Sequence, residues 1–339
     1  MESPPAPAIL ILAAGRGTRM KSETPKVLHR LMGRPLVEHV INAALYLGPA
    51  KVVMVTGFGA EEVEADVAAF MDEMRGKRGP EAVPEPVFVR QAEQLGTGHA
   101  VAMAREVLEE FPGPLIILSG DVPLISPNTL DGFLKGHLAL GADMSVLTVT
   151  LRDPAAYGRI IRDEAGWLER IVEFRDADEW ERAVREINTG FYVADAGKLF
   201  DSITRLSPAN DQNEYYLTDV PADFRSRGLK AAAVEIPENS AFEVGGINDR
   251  YELAEVQAVL KDRINEAWMR AGVTMLDPLS TYIESSVRLA RDVTLWPGVI
   301  LTGRTTVGQG AEIGPYSHLH DFGVEAGAQI PGGTFKDGR

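Results

Sequence analysis

From Ile283 onward one apolar residue returns at every sixth position: Ile283, Leu289, Leu295, Leu301, Val307, Ile313 and Leu319. Two residues before each stands a small or β-branched side chain, Thr281, Val287, Val293, Val299, Thr305, Ala311 or Ser317. An α-helix of about 3.6 residues per turn cannot keep a period of six on one face. A triangular parallel β-helix, with one short strand per side, presents the same two inward positions on every side. Gly308 and Gly314 follow two of the apolar positions, and Glu325 breaks the register at the next step. The pattern therefore predicts a short β-helix of roughly two to three coils over 273–339.

The chain before it obeys other periods. ILILAA (9–14), KVVMVTG (51–57), PVFVR (86–90), PLIILSG (114–120) and MSVLTV (144–149) are short, β-branched and bounded by Gly, Pro or Asp, which marks strands. Between them Leu36, Val40, Ala43, Ala44 and Leu47, and Val101, Ala104, Val107 and Leu108, recur at helical spacing. Alternating strands and helices imply an α/β fold: a Rossmann-like, doubly wound, mostly parallel sheet whose ligands sit at the carboxyl ends of its strands. GKRGPEAVPEP (76–86) reads as a surface loop. Residues 151–245 are less regular, with short strands in RIIR, ERIVEF, INTGFYV and KAAAVEI and a helix expected over 214–227. This half reads as a substrate-covering elaboration of the same domain. From Arg250 the pattern turns helical, with Leu253, Val256, Leu260 and Ile264 on one face. The expected organisation is a disordered tail over 1–8, an α/β domain over 9–249, a linker helix over 250–272 and the β-helix.

Composition limits the function. A net charge of −15 argues against a general nucleic-acid surface, because phosphate backbones are met by extended basic patches. No apolar run approaches the roughly 20 residues that span a bilayer, and MESPPAPA lacks the basic start of a secretory signal, so a cytoplasmic protein with no membrane partner is expected. With no cysteine in the chain, disulfides, thiolate metal sites and a cysteine nucleophile are excluded. An anionic ligand needs a local cationic pocket, and one segment offers it. After ILILAA, Gly15 and Gly17 let backbone approach a ligand, and Arg16, Arg19, Lys21 and Lys26 gather four cations within eleven residues. The segment is neither a Walker loop nor a dinucleotide fingerprint: no G-x-x-x-x-G-K-[ST] string begins at Gly15 or Gly17, and Met20 stands where the last glycine of G-x-G-x-x-G is needed. Backbone amides and basic side chains at the end of a first strand nevertheless make an anion cradle.

Leu12-x2-Gly15-x-Gly17-Thr18-x-Met20-x4-Pro25-Lys26 resembles the signature of the sugar-nucleotide pyrophosphorylases, nucleotidyltransferases that join a nucleoside triphosphate to a sugar 1-phosphate. QAEQLGTGHA (91–100), GDVPLI (120–125), YGRI (157–160), INTG (187–190), NEYYLTD (213–219) and GINDR (246–250) extend the match. With the β-helix, they make residues 9–320 similar to the bacterial bifunctional N-acetylglucosamine-1-phosphate uridyltransferase/glucosamine-1-phosphate acetyltransferase family. The resemblance implies a left-handed β-helix and transfer of uridylyl from UTP to N-acetylglucosamine 1-phosphate, with release of pyrophosphate. The product feeds peptidoglycan and lipopolysaccharide precursors. Mg²⁺ is the implied cofactor.

By the same resemblance, the backbone of Leu12, Ala13, Ala14 and Gly15 faces the uridine and Arg19 and Lys26 meet the phosphates. Gln91, Gly96 and Thr97 lie at the uracil, Ser119, Gly120, Gly158, Glu173 and Asn188 at the sugar, and Asp121 and Asn248 at the metal. The chemistry agrees. Two anions must react, so charge neutralisation and positioning matter more than a protein nucleophile. Asp121, emerging after PLIIL at the same sheet edge as the glycine loop, offers the hard oxygen that Mg²⁺ prefers, although beside Pro123 it also reads as a turn aspartate. Ser119 and Gly245 depart from the best-known members, which carry tyrosine and glutamate there; the first bears on sugar-phosphate contacts, the second on the metal's surroundings. The family's acetyltransferase sites use acetyl-coenzyme A and lie on later coils between subunits of a trimer. The stub is therefore expected to lack that activity and to retain only part of the surface for a homotrimer. His318 and His320 read as solvated stub residues. Two other readings stay open: a nucleotidyltransferase for another sugar 1-phosphate, and a non-catalytic nucleotide-binding regulator.

Overall fold

The computed structural model describes residues 5–338, which form two compact units. The first comprises the described residues up to Leu28 with Leu36–Asn248, and the second His29–Pro35 with the described residues from Asp249.

Among the described residues of the first unit, nine strands share one sheet: β1 (Ala8–Ala13), β2 (Lys51–Thr56), β3 (Pro86–Arg90), β4 (Pro114–Ser119), β5 (Met144–Thr150), β6 (Arg159–Arg162), β7 (Leu168–Val172), β8 (Glu186–Asp195) and β9 (Ala231–Ile236). Their order is β9-β5-β8-β4-β1-β2-β3, with the β6–β7 hairpin attached to β8. β1 runs parallel to β2 and β4 and is apolar along its length, as befits a strand covered on both faces. Ile9 and Ile11 join one core while Leu10 joins the other, the alternation that a pleated strand imposes. The chain steps outward from β1 to β2 and β3, then returns to the opposite side of β1 as β4. This reversal places a crevice at the carboxyl ends of β1 and β4.

β8 is the exception to the parallel order, lying antiparallel between β4 and β5. Its pairing with β5 shifts register between Asn188 and Tyr192, where Gly190 has φ +81°. A bulge of this kind re-aims a side chain at a sheet's edge, here Asn188.

Three sequence expectations change. The helix expected over 214–227 is a turn at Leu217–Asp219 followed by a helix over Val220–Ser226: Pro221 occupies the first turn of that helix, and Tyr215 N–H instead donates to Leu95 O at 2.8 Å. The loop expected from residue 76 starts later, because the helix Ala60–Arg78 continues until Gly79, whose N–H closes it on Arg75 O. Of the expected disordered tail, residues 1–4 lie outside the described residues, whereas Ala8 already belongs to β1 and Pro7 O accepts from Ala50 N–H at 2.9 Å. None of the helices among the described residues is long and apolar enough to cross a membrane.

The second unit is a three-sided coil of parallel strands. Tyr282–Ile283, Ile300–Thr302 and His318–Val324 stack on one side, Arg288–Leu289, Thr306–Val307 and the end of His318–Val324 on the next, and Thr274–Met275, Thr294–Leu295, Glu312–Ile313 and Gln329–Ile330 on the third. Every residue of the two six-residue series is buried. The buried hydroxyls close on nearby carbonyls: Thr281 on Asp277, Thr305 on Thr302 and Ser317 on Gly314, at 2.7–2.8 Å. The register break expected at Glu325 does not end the coil. Val324, one residue early, stacks on Val307, and the coil continues through a strand at Thr334–Gly338. A helix, Arg250–Arg270, packs Ile264 and Trp268 against this core, and a hairpin of Arg30–Leu31 with Arg34–Pro35 joins it through Ser285 N–H to Met32 O.

Candidate active site

The glycine loop leaves β1 at the crevice. Gly17 has φ +59°, and a Cβ there would come within 2.6 Å of Lys26 Cβ, so the aliphatic stem of Lys26 lies directly across the loop. Its ammonium ion-pairs with the Asp121 carboxylate and donates to Asn248 Oδ1 at 3.0 Å. Asp121 is delivered by β4 through Gly120, whose N–H donates to Leu12 O at 2.9 Å. Ile247 N–H donates to Asp121 O at 3.0 Å, which ties the Asn248 segment to the aspartate turn. Three residues widely separated in the chain thus meet at one point.

The donor set at that point has a definite chemical character. A carboxylate and an amide oxygen both face a single positive group, and both are hard oxygens of the kind Mg²⁺ takes beside water and phosphate. The residues present therefore fit a divalent cation. Arg16 and Arg19 are exposed; Arg16 lies 5.4 Å from the centre of the Phe58 ring, and Arg19 stands on the turn Thr18–Met20 without an ion pair among the described residues.

A second group frames the other side of the loop. Gln91 is buried, and its Nε2 donates to Gly96 O at 3.1 Å and lies 3.1 Å from His99 Nδ1. Gly96 has φ +104°, and a Cβ there would sit 2.6 Å from Tyr215 O. Thr97 Oγ1 accepts from Leu217 N–H at 3.1 Å. Gln94, absent from the sequence assignment, donates its Nε2 to Ala14 O at 2.8 Å and so links this segment to the glycine loop. Its only sequence signal was its place inside QAEQLGTGHA.

The third group gathers the residues assigned to the sugar. Gly158 O accepts from Asn188 N–H at 2.9 Å, and a Cβ at Gly158 would be 3.7 Å from Asn188 Cβ. Asn188 Oδ1 takes the Gly190 N–H while its Nδ2 donates to the Tyr192 hydroxyl, both at 2.9 Å. Gly190 faces Ser119: a Cβ there would lie 3.6 Å from Ser119 Oγ. Glu173 accepts from Thr218 Oγ1 at 3.1 Å. Burial pushes the Glu173 carboxyl above its ordinary range, against the Thr218 hydrogen bond and with help from Asp176 and Asp219. Burial raises the Tyr192 phenol as well, and the Glu173 charge adds to it. Neither Tyr192 nor Thr218 is assigned by the sequence: nothing in the local pattern of Tyr192 separates it from a core residue, and the one signal for Thr218 is its place inside NEYYLTD. A Cβ at Gly245 would meet Phe242 O at 3.9 Å, whereas one at Gly246 would lie 4.0 Å from the Asp121 carboxylate; the nearby Glu243 is turned to the start of a helix over Pro127–Leu140, accepting from Ser126 N–H and Thr129 Oγ1. His318 Nε2 and His320 Nδ1 both lie against Thr302 Oγ1 on the coil, at 3.2 and 3.0 Å.

Known proteins resemble this chain over most of its length. The model of the MobA-like NTP transferase domain matches residues 9–186. The bifunctional protein GlmU of Geobacillus sp. (strain WCH70) is 43% identical over 321 residues, covering 95% of this chain and 66% of that protein. The bifunctional protein GlmU of a Thermus thermophilus strain is 43% identical over 332 residues, covering 98% and 69%. The chain thus spans about two thirds of the length of these curated relatives. A crystal structure of UDP-glucose pyrophosphorylase complexed with UDP-glucose shares the fold, with a TM-score of 0.60 at 17% identity over 76% of this chain and 99% of that one.

Proposed function

The chain belongs to the family of the bifunctional GlmU proteins and carries a MobA-like NTP transferase domain, and from that premise we propose that it transfers uridylyl from UTP to N-acetylglucosamine 1-phosphate. A phosphate oxygen of the sugar phosphate attacks the α-phosphorus of UTP, and pyrophosphate leaves. The observation that carries this reading is the meeting of Lys26, Asp121 and Asn248 beside the glycine loop. A reaction between two anions needs fixed positive charge where negative charge builds up, and this point supplies a lysine together with two oxygen donors for a cation.

The residues divide the work. Lys26, lying over Gly17, holds the triphosphate, and exposed Arg19 approaches it from the loop's outer side. Asp121 and Asn248 would hold Mg²⁺, which would supply charge neutralisation when bound. Gln91 and the bare edge of Gly96 receive the pyrimidine, with Thr97 at the turn and the Leu12–Gly15 backbone beneath it. Gly158, Asn188 and Glu173 hydrogen-bond the sugar, with Ser119 and Gly120 at its phosphate. A cytoplasmic location fits the substrates. Pyrophosphate release tests the assignment when UTP is compared with dTTP and N-acetylglucosamine 1-phosphate with glucose 1-phosphate. Equal turnover of the two sugars would favour another sugar nucleotide, and no release from any pair would favour a non-catalytic binder.

A further inference from the structure

Arg159 is buried, 2% exposed, and no carboxylate pairs with it among the described residues. Burial lowers its pKa, with Asp153 opposing. A buried cation without a counter-ion is costly and persists where its hydrogen bonds are well satisfied. Here the four hydrogen bonds it makes all go to backbone carbonyls. Nη2 donates to Ala155 O at 2.9 Å, Nη1 to Pro154 O at 3.3 Å and to Tyr157 O, and Nε to Arg182 O at 3.4 Å. The guanidinium also lies 5.3 Å from the centre of the Phe174 ring, against which Arg182 packs as well at 5.1 Å.

These contacts share one target. The segment held by the guanidinium contains Ala155 at φ +41°, a left-handed conformation that alanine disfavours, and it ends at Gly158. Phe174 directly follows Glu173. Arg159 pairs with Val172 across the β6–β7 hairpin, so Gly158 and Glu173, two of the residues assigned to the sugar, stand side by side at its open end, and one buried side chain holds the neighbours of both. A simple core role would be served by an apolar residue, without burying a charge.

We propose that Arg159 is a positioning residue for the sugar end of the substrate: its guanidinium, hydrogen-bonded to Pro154, Ala155, Tyr157 and Arg182 and packed on Phe174, holds in place the chain that leads into Gly158 and the ring that follows Glu173. The proposal rests on the uridylyl-transfer reading. The test compares wild type with Arg159→Met and Arg159→Lys by steady-state pyrophosphate release, and by amide exchange of 154–158 in the ligand-free protein. Arg159→Met is expected to raise KM for the sugar phosphate at least ~10-fold while KM for UTP stays within about twofold, with faster exchange of the segment. Arg159→Lys, which keeps the charge but replaces the planar fork of three nitrogens by a single ammonium, is expected to fall between. Equal changes in both KM values, or no change in either, would overturn the proposal, and the lysine variant alone decides if the methionine variant fails to fold. An inactive wild type sinks the transfer reading and the proposal with it; turnover without the KM split sinks the proposal alone.

Discussion

The Lys26 ammonium is ion-paired with the Asp121 carboxylate at the carboxyl edge of the sheet, with the two side chains 13% and 22% exposed. An ammonium in that position competes with a divalent cation for the same oxygens. Removing it should therefore improve metal binding while harming catalysis, a combination that a simple loss of folding cannot produce. Without nucleotide, Lys26→Met is expected to bind Mn²⁺ roughly threefold or more tightly than wild type, since a like charge at contact distance disfavours the ion. Its turnover should fall at least ~10-fold, about 1.4 kcal/mol in the barrier. Asp121→Ala should lose both properties. Titrating the Mn²⁺ paramagnetic signal against protein, together with pyrophosphate release, measures each arm; unchanged Mn²⁺ binding in Lys26→Met would show that the ammonium and the metal do not share the oxygens.

Gly96→Ala tests the pyrimidine side. The new Cβ would stand 2.6 Å from Tyr215 O and 2.9 Å from Glu214 Cβ, in a backbone with φ +104° that a side chain rarely adopts. The segment must shift, taking Gln91's acceptor at Gly96 O with it. KM for UTP should rise about tenfold, as expected when a positioned contact is displaced. Kinetics at saturating sugar phosphate show whether UTP alone is affected.

Much of this is legible in the sequence, and the reasons are local. The coil could be read because each side demands an inward side chain at a fixed interval, and β1 and β4 because fully covered parallel strands are apolar throughout. What stayed hidden depends on distant partners. The Arg30–Pro35 hairpin carries no periodicity that assigns it to the second unit; its docking is made by Ser285, on the coil. Nor could the shortening at Val324 be inferred from a repeat that assumes constant spacing. At the site, the glycine loop, Lys26 and Asp121 announced themselves by residue type. The contact of Lys26 with Asn248 needed the tertiary fold, as did the burial of Glu173 and the role of Gln94.

Glu173 gives a pH dependence with a definite sign. Its folded-state pKa is raised above the ordinary 4.5 by burial, so the folded protein holds a proton that the unfolded chain releases between those two values. The stability this contributes is fully present below the unfolded value and is lost as pH rises through the raised one. Glu173→Gln has no such loss. The difference in melting temperature, variant minus wild type, should therefore grow from pH 4.5 toward pH 8, measured by calorimetry in matched buffers. A constant difference would show that Glu173 titrates normally. The same variant should weaken sugar-phosphate binding, because an amide offers one acceptor oxygen where the carboxylate offers two.

The second unit offers a test that is independent of catalysis. Asn265, 1% exposed on the helix Arg250–Arg270, donates its Nδ2 to Pro278 O at 2.9 Å and Thr281 O at 3.0 Å, fastening the first corner of the coil to the helix. Its Oδ1 has no partner among the described residues, so the side chain is held by its donors. Asn265→Ala removes both donors and leaves two carbonyls facing a small apolar group, at about 1–3 kcal/mol each where they remain dry. Asn265→Asp should destabilise more strongly, since a carboxylate would then face the same two carbonyl oxygens with no proton to offer them. Urea unfolding followed by circular dichroism should place the variants in the order wild type, Ala, Asp, with the ordering between Ala and Asp narrowing at acid pH as the aspartate gains a proton. If Asp instead matched wild type at neutral pH, the helix would be held by its other contacts, the packing of Ile264 and Trp268 and the Lys261 hydrogen bond to Leu279 O, and not by the amide.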